Sequence, residues 1–245
     1  IILVNCDSKH LPIYMSLGTK ANSRKVQVEN MQLSATEPFR KRIWQSIVMQ
    51  KITNQGNCLN ILDIKGWSKI LGYAKKVASG DGDNTEAVAA NRYFSYLFGK
   101  DFSRRDGNII NIALNYGYSI VRSLTARSLA GSGFLLSKGV FHHNELNAYN
   151  LADDFMEPYR PLVDYIVYDY FRENEDYESL TGIPKELKNR LLGSVEYTVL
   201  IDGKRQSVRR SAEIMSGSFQ TALSEKDYRI LKLPEFDRPE LYSYE

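Results

Sequence analysis

The sequence predicts a mainly α-helical protein with one small β-hairpin, preceded by the end of a β-rich segment. Apolar residues recur at helical spacing through most of the chain after residue 36. An Asp-Gly pair sits between two short strand-like runs near residue 200. The chain opens on "IILVN", a continuous apolar run, followed by the breaker "CDSKHLP". With 245 residues, 43% hydrophobic and 25% charged, it has the composition of a globular protein able to bury a sizeable core.

Residues 1–33 read as β-rich and turn-rich, a remnant of an N-terminal β domain and its linker. A buried strand at residue 1, with no initiator methionine, is expected to belong to a longer chain. Thr36 suits a helix N-cap with Pro38 in the first turn, and Ile43, Trp44, Ile47, Val48 and Ile52 continue at helical spacing. A second helical stretch is expected over about Leu59 to Val77. "SGDGDN" is a loop, after which Asn84 or Thr85 starts "EAVAANRYFSYLFG", closed by Gly99. A long helix covers about Ile109 to Leu129. Asn150 is a candidate N-cap for "LADDFME", and Pro158 and Pro161 should interrupt that helix before "LVDYIVYDYF" resumes it. "SVEYTVLIDGKRQSVRR" reads as a hairpin with a type I′ turn, followed by a helix through "RRSAEIMSGSFQTALS". The expected organisation is 1–33 β remnant, 34–225 helical catalytic domain, and 226–245 irregular tail.

A net charge of +3 permits nucleic-acid binding without demanding it. Two cysteines make neither a disulfide framework nor a zinc site, and no apolar run is long enough for a membrane span, so a reducing cytoplasm is the expected home.

Chemistry concentrates in "FHHNELNAYNLADDFMEPYR". Asp153 and Glu157 are four apart and Asp154 and Glu157 three apart, so on a helix each pair shares a face. Like charges there repel unless a cation lies between them, although an acidic first turn also suits the helix dipole of a solvated N-terminus. His142 and His143 lie one loop away, and mixed imidazole and carboxylate sets suit manganese, magnesium, zinc or iron. Glu86 opens another helix, followed by the small residues Ala87, Ala89 and Ala90, which permit close approach of a neighbour.

The stretches "NTEAVAANRYFSYLFG", "DFSRRD", "NIALNYGYSIVRSLTAR" and "GVFHHNELNAYNLADDFMEPYRPLVD", in that order, resemble the CRISPR-associated adaptation integrase, the first of the two universal adaptation proteins, in its type II branch. The resemblance covers most of the chain. It implies an N-terminal β domain, largely absent from this sequence, and a helical domain holding a Mg2+ or Mn2+ ion on Glu86, His142 and Glu157. Asp154 is then an auxiliary or supporting group, and a one-residue shift in the loop would exchange His142 with His143. The implied reaction is metal-dependent DNA cleavage and strand transfer, in which a 3′-hydroxyl attacks a phosphodiester of the repeat. The implied partners are double-stranded DNA, a second copy of the chain, and the second universal adaptation protein, a ferredoxin-like dimer that bridges two integrase dimers into a heterohexamer. No membrane is involved.

DNA-backbone contacts are expected from Arg40, Lys41, Arg42, Arg104, Arg105, Lys204, Arg205, Arg209 and Arg210, each of which would equally suit a solvated face. Tyr93, Tyr116 and Tyr118 suit the core better than base stacking. Three rivals share the residues. "DDFME" also fits the D-D-x-x-E motif of isoprenoid synthases, but a second such motif is missing. A non-catalytic DNA-bridging subunit would not need Glu86, His142 and Glu157. A non-haem iron oxygenase would need a second histidine and a β-barrel.

Overall fold

The computed structural model describes residues 4–6, 12–15, 24–174 and 180–243, with side chains from residue 24 onward. Two short strands open the chain, β1 (Val4–Cys6) and β2 (Pro12–Met15), paired antiparallel with Val4 opposite Met15. The expected β-rich character ends sooner than residue 33, because Lys25–Leu33 is a helix, α1. Its anchorage is tertiary. The buried Gln32 amide donates to the carbonyls of Leu135 and Lys138 at 3.0 and 2.7 Å, and its oxygen accepts the Leu135 N–H at 2.9 Å. Local periodicity carries little trace of such an anchor.

Helix α2 (Glu37–Ile61) is the longest element described. The Thr36 hydroxyl caps it by accepting the Phe39 N–H at 3.4 Å, and Pro38 sits where a missing N–H costs nothing. Ile43, Trp44, Ile47, Val48, Ile52, Cys58 and Leu59 are all buried on it. The helix expected over Leu59–Val77 is divided. Its first residues finish α2, the backbone turns through left-handed Asp63 (φ 54°) and Gly66 (φ 106°), and α3 spans Trp67–Ala74. Helix α4 (Thr85–Phe98) ends at Gly99, and α5 (Ile109–Gly131) starts at Asn108, whose side chain accepts the Asn111 N–H at 2.9 Å.

Helix α6 (Asn150–Met156) passes through a single 3₁₀ turn, Glu157–Tyr159, into α7 (Arg160–Glu173). Pro158 and Pro161 remove donors from the ladder there. Asn150 is not the cap of α6 but its first residue. Its amide instead donates to the carbonyls of Ser137, Asn144 and Asn147, tying down the preceding loop. Helix α8 (Lys185–Leu192) follows. Helices α7 and α8 press on α5 at Gly117, where a Cβ would collide with Val163 and come within 2.9 Å of Leu191.

Strands β3 (Thr198–Ile201) and β4 (Lys204–Ser207) form the hairpin, with Asp202 (φ 52°) and Gly203 (φ 72°) in the left-handed region that a type I′ turn requires. Helix α9 (Val208–Glu225) packs back on α5. The segment after it is irregular apart from a short 3₁₀ turn, yet firmly seated: Leu200 and Glu235 exchange both backbone hydrogen bonds, and Phe236 is buried. Tyr93 and Tyr118 are core residues. No helix among the described residues is long and apolar enough to cross a membrane.

Candidate metal centre

One face of α2 organises the site. Trp44, Lys51 and Asn54 lie along the same buried stripe, Trp44 and Lys51 being two turns apart. Asn54 is fully buried and satisfied. Its amide donates to the carbonyls of Pro158 and Pro234 at 2.7 and 2.9 Å, and its oxygen accepts the Phe236 N–H at 2.9 Å. The Pro158 contact fixes the turn that carries Glu157.

Glu86 reaches the same place from α4. Asn84 takes a left-handed conformation (φ 52°) and does not cap with its side chain. The cap is Asp81, whose carboxylate accepts the N–H groups of Thr85 and Glu86 at 2.9 and 3.0 Å. That pair of bonds sets the first turn of α4 and hence the direction of Glu86.

The loop before α6 wraps around Asp154, which is fully buried. Asp154 Oδ2 accepts the N–H groups of Val140 (2.5 Å) and Phe141 (3.1 Å), and Oδ1 accepts the His142 N–H (3.1 Å) and the His142 ring at Nδ1 (2.7 Å). Four donors on two oxygens call for an ionised carboxylate. Burial nonetheless pushes its pKa up, against those hydrogen bonds. The loop needs Gly139, because a Cβ there would lie 2.8 Å from Asp154 Oδ2 and run into the His142 carbonyl. Trp44 stacks flat on Phe141 (centroids 4.3 Å, planes 2° apart) and meets the His142 ring edge-on at 5.7 Å. His143 turns away, its Nδ1 on the Phe141 carbonyl at 2.9 Å. The imidazole beside Asp154 and Glu157 is therefore that of His142. Its pKa is raised, first by the Asp154 hydrogen bond.

Glu86 Oε1 and Glu157 Oε2 each lie 2.5 Å from Lys51 Nζ, so they are within twice that distance of each other. The other oxygen of Glu157 is 2.9 Å from Arg160 Nε, and the Arg160 guanidinium lies over the Tyr118 ring at 4.6 Å. Burial alone would raise the Glu157 carboxyl, but Arg160 and Lys51 outweigh it and hold it below the usual range. Burial likewise works to discharge Lys51, and Glu157 with Glu86 overcomes it, so its pKa is raised.

No set of three His, Cys, Asp or Glu side chains among the described residues is arranged around an open metal position. The point where two of the anticipated ligands converge is filled by an ammonium group. The donor chemistry still fits a hard divalent ion. Two carboxylate oxygens face one cationic atom, and Glu157 Oε2, though buried, lacks a well-directed hydrogen bond. Because Asp154 takes the Nδ1 side of His142, Nε2 is left as the free ring nitrogen. Asp153 is no part of this site. It is paired with Arg122 and accepts from the Asn147 amide at 2.6 Å. The three carboxylates of "DDFME" thus serve three different partners, unlike a diphosphate-binding motif. Lys51 and Asn54 escaped the sequence reading, although two polar residues interrupting the apolar stripe of α2 were a visible signal.

The basic candidates divide. Arg104 is held by Asn111 and by Asn115 at 2.8 Å, and lies over the Phe94 and Tyr118 rings. Lys41 pairs with Glu37 at 2.7 Å and Arg210 with Glu213 at 2.5 Å; Arg205 pairs with Asp237 and Glu240, and Arg209 with Glu196. Arg42 bonds Gln45 at 3.0 Å and lies over Tyr228. Arg105 and Lys204 are exposed. Arg40 is exposed and borders a cavity of about 420 Å³ that His142 and His143 also line.

A helical architecture in which two carboxylates from separate elements converge on one buried cationic atom defines a mainly α domain. The family described as CRISPR associated protein Cas1 matches residues 1–180. The CRISPR-associated endonuclease Cas1 of Neisseria meningitidis serogroup C (strain 8013) is 38% identical over 247 residues, covering 99% of this chain and 79% of the relative. The CRISPR-associated endonuclease Cas1 1 of Francisella tularensis subsp. novicida is 28% identical, covering 70% of this chain and 58% of the relative. A casposase bound to integration product superposes with a TM-score of 0.73 at 21% identity, covering 97% of this chain and 78% of that one. A partial Cas6-RT-Cas1–Cas2 complex gives 0.74 at 20% identity, covering 95% and 80%. These structural likenesses support the fold. The chain belongs to the Cas1 family.

Proposed function

We propose that the chain is the catalytic body of a type II CRISPR adaptation integrase, a DNA endonuclease and strand transferase that joins a DNA 3′-hydroxyl to a phosphodiester of the repeat. The observation that carries this reading is the convergence of Glu86, from the first turn of α4, and Glu157, from the turn after α6, on one cationic atom, with His142 held by Asp154 of α6. Glu86, His142 and Glu157 are the residues that would hold Mg2+ or Mn2+. Such an ion supplies Lewis-acid stabilisation of the charge gathering at phosphorus and an activated hydroxyl.

The remaining residues prepare that site. Asp154 accepts a hydrogen bond from the Nδ1–H of His142 and orients the ring with Nε2 free. Arg160 neutralises the far oxygen of Glu157 and keeps the carboxylate ionised in a buried place. Arg40, at the rim of the cavity that His142 lines, would meet a DNA phosphate. No covalent protein intermediate is needed, because the attacking group belongs to DNA. The names of the structural neighbours, a casposase bound to integration product and a Cas1–Cas2 complex, support a partnership with DNA and with a second adaptation protein. The ferredoxin-like bridge, the heterohexamer of integrase homodimers and the cytoplasmic place of work are what the family resemblance implies.

The test is a half-site strand-transfer assay with Mn2+, a labelled DNA bearing a 3′-hydroxyl, and a repeat-containing duplex, with the partner protein present. The parent should join DNA, and Glu86→Ala, His142→Ala and Glu157→Ala should each lose joining by at least about a hundredfold, the scale of removing a group that stabilises transition-state charge. Joining by Glu86→Ala at the parental rate would exclude catalysis at this site.

A further inference from the structure

Lys51 is the group that the proposed reaction leaves without a part. It is buried, 8% exposed, on the apolar stripe of α2, a place a lysine occupies only when its charge is matched. Its match is complete: Nζ lies 2.5 Å from Glu86 Oε1 and 2.5 Å from Glu157 Oε2. Those are two of the three side chains assigned to the divalent ion. Mg2+ binds carboxylate oxygens at roughly 2.0–2.1 Å, so an ion between these two oxygens would overlap the ammonium. Two cations cannot share that volume.

We infer that Lys51 is the resident counter-ion of the metal site: its ammonium holds Glu86 and Glu157 together while no metal is bound, and a divalent cation must displace it to bind. This inference rests on the reading of Glu86 and Glu157 as metal ligands. Both roles follow from one geometry. Without a positive charge between them, the buried Glu157 carboxylate and the half-buried Glu86 carboxylate would repel, and Glu86 would lose its tie to α2. Arg160 engages only the far oxygen of Glu157, and no described contact joins it to Glu86. With Lys51 in place the pair is preformed, at the cost of weaker cation binding. The lysine stem is flexible enough to withdraw its point charge without moving α2, which the Asn54 hydrogen bonds hold.

The test compares the full chain with Lys51→Met and Lys51→Gln, measuring Mn2+ affinity by calorimetry and thermal midpoints with and without saturating Mn2+. The uncharged variants should bind Mn2+ at least about tenfold more tightly, a difference of about 1.4 kcal/mol. Their midpoints should fall without metal, and the deficit should shrink or reverse with Mn2+, because binding to the folded state stabilises it in proportion to affinity. A merely structural lysine would lower both midpoints equally, and that result, or unchanged or weaker Mn2+ binding, overturns the inference. Should Lys51→Met fail to fold, Lys51→Gln decides by the same criteria. Glu86→Gln separates the two levels: if it loses Mn2+ while the Lys51 variants bind like the parent, only the counter-ion role fails. If the parent binds no Mn2+ and joins no DNA, the metal-integrase reading itself fails.

Discussion

Replacing Asp154 with asparagine changes one atom and leaves the shape intact, which isolates the part its charge plays. In the native loop two carboxylate oxygens accept four donors, the N–H groups of Val140, Phe141 and His142 and the Nδ1 of His142. An asparagine offers one accepting oxygen and one donating nitrogen. With its nitrogen at the Oδ2 position the Val140 and Phe141 N–H groups both face a donor; with its nitrogen at the Oδ1 position the His142 N–H does, and the ring must turn Nδ1 into an acceptor. Hydrogen bonds to a charged acceptor contribute about 1.5–3 kcal/mol each, so losing one or two in a fully buried place should cost about 1.5–6 kcal/mol. That is a large share of the roughly 5–15 kcal/mol by which domains are stable. Urea unfolding of the parent and Asp154→Asn measures the loss through the shift in midpoint. Nitrogen NMR of the imidazole gives the second reading: the parent's His142 should hold its proton on Nδ1 when neutral, and the variant should lose that preference. A variant within 1 kcal/mol of the parent, with the same tautomer, would refute the claim that this carboxylate organises the loop and the ring.

Three further outcomes follow from groups outside the carboxylate pair. Asp164 is buried, accepts the Tyr118 hydroxyl, and has its pKa pushed by burial up to about 6, above its ordinary 3.8. Because the folded-state value is the higher one, this group favours folding most below about pH 4, and its stabilising effect is lost as pH rises to about 6. The loss should approach about 3 kcal/mol. Asp164→Asn should remove that part of the stability profile between about pH 4 and 6, and superimposable profiles for parent and variant would contradict it. Among the basic residues, Arg40→Ala should weaken DNA binding and reduce the salt dependence of affinity by about one counterion. Arg104→Ala should mainly lower stability, since its guanidinium is tied to Asn111 and Asn115; filter binding across a salt series, set beside thermal melts, distinguishes the two behaviours.

The helices that sequence made legible are those whose own residues decide them. Thr36 and Pro38 mark the start of α2, Gly99 ends α4, and Asp202 and Gly203 close the hairpin, because each acts through its own backbone. The elements it missed are decided elsewhere. Helix α1 is anchored through Gln32 to carbonyls about a hundred residues away. Asn150 has the right chemistry for a cap and the right position within a residue, yet its amide serves the loop before it, and the cap of α4 is Asp81 rather than its neighbour Asn84. In each case the side chain chose among several unsatisfied backbone groups, and only the folded loop says which were within reach.

The site shows the same division at a higher level. Glu86, His142, Asp154 and Glu157 stand out in sequence because ionisable groups near helix starts and in a loop invite a chemical reading. Lys51 did not, because a single lysine in a helical stretch looks like surface. Its meaning comes from position within the pattern. Ile43, Trp44, Ile47, Val48, Ile52 and Leu59 define a buried face, and Lys51 and Asn54 lie on that face too. A charge on an apolar stripe costs several kcal/mol unless something pays it back. The return must come from opposite charge delivered by another element, here Glu86 from α4 and Glu157 from the turn after α6. An interrupted hydrophobic stripe therefore predicts that carboxylates from elsewhere in the chain meet it. In this protein it points to the same two carboxylates that the loop and helix-start motifs single out independently.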